Sequence, residues 1–192
     1  MARPRAFDES DVINRAIRQF WSYGYEATSV DDLCAATGLN RSSLYRTFGS
    51  KRELLNTVLA AYERDALRRI EHLLAAHPIR EALRRFLMGL FQDEATGTTQ
   101  WGCLVGNCAG ELAAHDKQAQ KRLWRSLQHI EALLCRAITH AQRDGGLSPE
   151  LDAEAIAQFL MTQAQGLRLV AKTRPPRPVL ENIVATTLSV LR

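Results

Sequence analysis

The chain has 192 residues, 46% hydrophobic and 24% charged, which suits one or two modest domains with a real core and excludes a disordered or fibrous chain. Its 25 Lys and Arg against 21 Asp and Glu leave a net charge of +4, too small a surplus to name a nucleic-acid partner, because surface charge acts through its placement. With no apolar run near the roughly 18 residues that span a bilayer, no apolar signal core and four cysteines without CxxC spacing, the expected compartment is the cytoplasm and the expected thiols are free.

Helical periodicity runs through nearly every segment. Val12, Ile13, Ala16, Ile17, Phe20 and Trp21 recur at spacings of three and four, predicting a first helix capped by Asp8 or Ser10 and stopped at Gly24. Thr28 is the expected cap of a short second helix carrying Val30, Leu33, Cys34 and Ala35, with Asp31 and Asp32 at its positive end and Gly38 as its stop. A third short helix follows, roughly Arg41 to Phe48, ended by Gly49. Ser50 and Glu53 then form a capping-box pattern that opens a long fourth helix reaching the seventies.

Pro78 starts a fifth helix with Leu83, Phe86, Leu87, Leu90 and Phe91, and Asp93 to Gly102 has the composition of an exposed loop. Helices are expected from about Cys103 to Ala113 and from Asp116 to Asp144. Another should open at Ser148-Pro149 and run to about Lys172, and a last one should follow the Arg174–Pro178 break. The architecture is all-α with about nine helices. A head over residues 1–50 precedes a helical body over 51–192.

The tight turn at Gly38-Leu39 between two short helices is what a helix-turn-helix requires, since it lets the second helix of the pair stand proud and enter a major groove. Leu44 and Phe48 can face the core, leaving Arg41, Ser42, Ser43, Tyr45, Arg46 and Thr47 outward. With Lys51 and Arg52, four basic residues fall between Asn40 and Arg52 without an acidic one. Ser42, Ser43, Arg46 and Arg41 suit base edges, and Tyr45, Thr47 and Lys51 suit phosphates. Arg3 and Arg5 add an N-terminal basic arm of the kind that reaches a minor groove.

The stretch Ala16 to Leu55 resembles the N-terminal domain of TetR-family repressors. The resemblance rests on Phe20, Gly24, Tyr25, Thr28, Ser29, Val30, Ala35, Gly38, Leu39 and above all the run S-L-Y-R-T-F-G-S-K-R-E-L from Ser43 to Leu54. It implies a recognition role for the third helix and phosphate contacts for Tyr45 and Lys51, and it brings Thr28 into the DNA-contacting set. Arg46 stands where that family often has an aromatic and Thr47 where it often has histidine, departures that bear on the operator rather than the fold. The resemblance further implies a homodimer built on the last two long helices. Two apolar stripes agree: Ile156, Phe159, Leu160, Gln163, Leu167 and Val170, then Leu180, Ile183, Val184, Thr187, Leu188 and Leu191. The same stripes would also serve to close a monomer core.

The segment W-G-C-L-V-G-N-C-A-G-E-L, Trp101 to Leu112, and the run G-L-R-L-V-A-K, Gly166 to Lys172, resemble the TetR subgroup whose repressors sense electrophiles such as N-ethylmaleimide and acrylate-type compounds. The cysteine of that motif falls on Cys103. A helix N-terminus favours a thiolate and so a reactive thiol; a small buried hydrophobe is the other reading of the same residue. Cys108, five positions on, points to a different helix face. Candidate lining for an apolar or amphipathic effector is Phe86, Leu90, Phe91, Trp101, Asn107, Glu111, Trp124, Leu127 and Phe159. No HExxH, Gly-rich phosphate loop or GxSxG elbow is present, so no catalytic residue, metal or cofactor is expected; an enzyme and a helical adaptor remain the rival classes.

Overall fold

The computed structural model describes residues 8–92 and 101–191. Among them are nine helices: α1 (Glu9–Tyr23), α2 (Val30–Thr37), α3 (Arg41–Phe48), α4 (Lys51–Ala76), α5 (Ile79–Gln92), α6 (Leu104–Leu112), α7 (Lys117–Arg143), α8 (Ala153–Ala171) and α9 (Arg177–Ser189). The expected all-α architecture is the one found. The arm residues Arg3 and Arg5 and most of the expected loop, 93–100, lie outside the described residues.

Local chemistry sets the boundaries. Asp8 accepts from the Ser10 amide at the start of α1, and Gly24 ends it at φ 88. The cap of α2 is Ser29, one residue beyond the expected Thr28. Ser29 Oγ accepts from Asp32 N while Asp32 accepts from Ser29 N, a reciprocal capping box. Thr28 is instead fully buried and donates its hydroxyl to the Gly24 carbonyl at 2.6 Å, closing the α1–α2 turn. The α8 start also moves: Ser148 to Leu151 forms a turn, and Asp152 caps the helix by accepting from the amides of Glu154 and Ala155. A carboxylate that accepts two amides displaces the weaker Ser-Pro signal.

The core falls into two clusters that do not divide at residue 50. One joins Phe20, Leu33, Leu44 and Phe48 of the head to Leu54, Leu55 and Val58 of α4, and also to Leu104, Cys108 and Leu112 of α6 and Leu123 of α7. The other joins the far half of α4 to α5, α7, α8 and α9 around Leu83, Leu87, Leu134, Ile138, Leu160 and Leu167. α4 and α7 therefore run through both. In the C-terminal stripes Leu160, Leu167, Leu180, Val184, Thr187 and Leu191 are buried inside the protomer. Leu169, Val170, Val179 and Val190 remain exposed on the outer side of the same helices.

Candidate functional site

The recognition surface begins with Leu44 and Phe48, which pin α3 to the core and turn its opposite face outward. On that face Arg41, Ser42, Tyr45 and Arg46 are exposed, Ser43 and Thr47 half-buried. Asn40 caps α3 by accepting from Ser43 N at 2.8 Å. Arg41 is engaged: its guanidinium makes two 2.8 Å bonds to Asp31 of α2, and this holds the Asp31 carboxyl below the usual carboxylate range. Lys51 lies 4.2 Å from the centre of the Tyr25 ring, beside the N-terminus of α4. Arg52, counted in the sequence with the basic surface, turns away and pairs with Asp116 at the start of α7. The exposed, uncommitted row is Ser42, Tyr45 and Arg46.

The second element is a cavity of about 40 Å³ inside the body. Ile70 of α4, Phe86 and Leu90 of α5, Ile130 of α7 and Met161 and Ala164 of α8 make its apolar walls. Its polar rim holds Tyr62 and Glu63 of α4, Cys103, Ser126, Gln165 and Arg168. Arg168 donates to the Tyr62 hydroxyl at 3.3 Å and to the Gly102 carbonyl at 2.9 Å. Burial, reinforced by neighbouring Cys103, pushes the Tyr62 phenol up to about 12, so it stays a neutral donor at physiological pH. Glu63, nearly buried, works against desolvation but is held below its ordinary value by His129, Arg122 and Ser126, all of α7.

Cys103 occupies the N-cap of α6, its Sγ accepting from Gly106 N at 3.4 Å, and it lies half-buried at the cavity rim. Cys108 is buried on the other side of α6, where desolvation pushes its thiol up to about 12 and leaves it inert near neutrality. Gly102 precedes Cys103 with φ 73, a conformation that suits glycine. Its carbonyl accepts both Arg168 from α8 and the Trp21 indole of α1 at 3.3 Å.

Of the nine lining candidates, Phe86, Leu90 and Leu127 meet at this cavity, and the candidate thiol Cys103 joins them there. Phe91 packs in the body core, and Trp101 stacks edge-on against Trp21 with ring centres 5.5 Å apart. Asn107 donates to the Trp101 carbonyl, and Glu111 accepts from the Glu26 amide in the head. Trp124 is 56% exposed and Phe159 lies outside the lining. The polar lining residues that sequence reasoning missed are Tyr62, Glu63, Ser126, Gln165 and Arg168. A charge inside the apolar register of the last body helices was the available signal for Arg168; Glu63 looked like one more charge on a long helix. Among the described residues, no three His, Cys, Asp or Glu side chains gather as a metal site, and no helix is long and apolar enough to cross a membrane.

A family model for bacterial regulatory proteins of the tetR family matches residues 12–58, and one for the tetracyclin repressor-like C-terminal domain matches residues 78–185. The chain is 32% identical to the uncharacterized HTH-type transcriptional regulator YezE of Bacillus subtilis, over the whole of both chains. It is 30% identical to the HTH-type transcriptional repressor ComR of Escherichia coli, covering 97% of this chain and 90% of that one. The structure matches that of a cysteine mutant of the TetR-family regulator CifR in complex with 26-bp operator DNA, with a TM-score of 0.85 and 31% identity over 99% of this chain and all of that one. The chain belongs to the TetR family of DNA-binding transcriptional regulators.

Proposed function

We propose that this regulator is a repressor whose two heads bind a palindromic operator, and that a small electrophile entering the body cavity releases it. The observation that carries the link is the Gly102 carbonyl, which joins Arg168 of the cavity to Trp21 of the head one residue before Cys103. Arg46 and Ser42 read base edges, while Tyr45, Thr47 and Lys51 hold phosphate beside the α4 N-terminus. Arg41 joins them when it exchanges Asp31 for DNA, and Ser43 lies at the edge of the same face. Thr28 keeps its hydroxyl inside the turn and contributes structure only. The relative solved with operator DNA supports this use of the head. The exposed apolar residues Leu169, Val170, Val179 and Val190 support a dimer face on α8 and α9.

A 40 Å³ space accommodates a water or two. An effector of more than a few heavy atoms must therefore part α4, α5 and α8, which is the differential contact that a shift between two conformations requires. For an α,β-unsaturated carbonyl, the Cys103 thiol gives up its proton to water, its sulfur bonds to the β-carbon and the displaced π electrons pass to the carbonyl oxygen. Tyr62 and Arg168 are placed to donate to that oxygen, and the enolate then takes a proton from water at its α-carbon; nothing leaves. Fluorescence anisotropy on the DNA upstream of its own gene, against scrambled DNA, tests the reading before and after N-ethylmaleimide. Specific binding that is lost on treatment of the wild type and kept in Cys103→Ser is the expected result. Binding indifferent to treatment would replace the covalent effector with a reversible one.

A further inference from the structure

The helix-turn-helix pair is held to the body at both of its ends by one short stretch of chain. At its entry, the Glu111 carboxylate at the end of α6 accepts from the Glu26 amide at 2.8 Å, inside the α1–α2 turn. That approach needs Gly24: the second Glu111 oxygen lies 2.6 Å from where a Cβ would stand, and Gly24 has φ 88. At the exit, the Arg52 guanidinium on the first turn of α4 pairs with Asp116, the N-cap of α7. Everything between Glu26 and Arg52, which is α2, the turn and α3, is thus bracketed by ties to residues 111–116. Tyr25, next to the first tie, stacks under both Lys51 and Arg52 at the second, so the two anchors are also joined to each other.

The geometry points to Glu111 and Asp116 as positioning residues that fix the angle of the head on the body, and hence the half-site spacing the dimer accepts. Adding one base pair between half-sites turns one against the other by about 35° and moves it about 3.4 Å. Heads locked at two points tolerate one spacing well, whereas heads on a loosened α6–α7 corner follow several. Apolar packing of α1 on α6 holds the head in place but leaves rotation about the contact; two directional polar ties on either side of the pair remove that freedom. The inference rests on the reading of α3 as the DNA-contacting helix.

The test uses the full-length protein. Half-sites are first selected from a random duplex library by the wild type, and anisotropy then compares palindromes whose central spacing is changed by one or two base pairs. The wild type should prefer its best spacing over a one-pair change by about tenfold or more. Glu111→Ala and Asp116→Asn should each cut that ratio several-fold while keeping affinity at the best spacing within a few-fold. Asparagine retains the α7 cap that Asp116 provides, and thermal unfolding monitors folding of each variant. Glu111→Gln, whose amide oxygen still accepts from Glu26 N, should restore the wild-type ratio. Equal weakening at every spacing, or unchanged ratios in both variants, would overturn the positioning role. Selection of no duplex by the wild type would overturn the reading head itself, and with it the inference.

Discussion

The head and the body of this molecule are built by different rules. In the head, three short helices are started and stopped by residues a few positions away: Ser29 with Asp32, Asn40 with the Ser43 amide, and glycines at 24, 38 and 49. Its polar contacts are largely local, and its working face is whatever Leu44 and Phe48 leave outside. In the body, the contacts that make the site span large sequence distances, as from Glu63 to Ser126 and from Gly102 to Arg168. A reading surface needs a rigid local scaffold, whereas a cavity that must open is assembled from several long helices able to separate. The first cluster, which carries head residues onto α6 and α7, is where the two constructions meet.

That shared cluster ties the stability of the head to that of the body. Phe20→Ala, at a fully buried site of the head, should cost about 3–5 kcal/mol. Because α6 and α7 share its core, urea unfolding followed by far-UV signal should remain a single transition moved to lower denaturant. Two separated transitions would show that head and body fold independently.

Glu63→Ala asks whether the body's polar seam supports it as firmly. The change takes from half-buried Arg122 and buried Ser126 the carboxylate they share, leaving them only their weaker contacts with each other, and should cost about 2–3 kcal/mol. Glu63 has a folded value below its ordinary 4.5, so its contribution is complete above that pH and fades as pH falls through the lowered value. Acid unfolding of the wild type should therefore include a component absent from the alanine variant.

Smaller effects sharpen the assignment within the head. Arg46→Ala should lose about 1–3 kcal/mol of discrimination between operator and scrambled DNA, read by anisotropy. Lys51→Ala should weaken binding to every duplex alike and lower the salt slope by about one. The smallest change belongs to the body: Cys103→Ser should leave operator affinity within about 0.5 kcal/mol of wild type. Its effect should appear only after electrophile treatment.

The nine helices, the turn at Gly38-Leu39 and the outward row on α3 were all legible in the sequence, because each depends on residues within one or two turns of one another. The misplaced caps at Thr28 and Ser148 show the grain of that reading: neighbouring candidates compete, and the one whose oxygen reaches the amides of the helix's own first turn wins. Cys103 at the head of α6 was legible for the same local reason. Tertiary structure alone decided that Arg52 faces Asp116 and not DNA, that Glu111 reaches back to the α1–α2 turn, and that Tyr62, Glu63, Gln165 and Arg168 share a cavity with Cys103. A charged or polar side chain on a long helix carries no record in its neighbours of which distant helix it will meet. That partner is set by how whole helices pack, through apolar contacts that leave the direction of each polar group to be settled last.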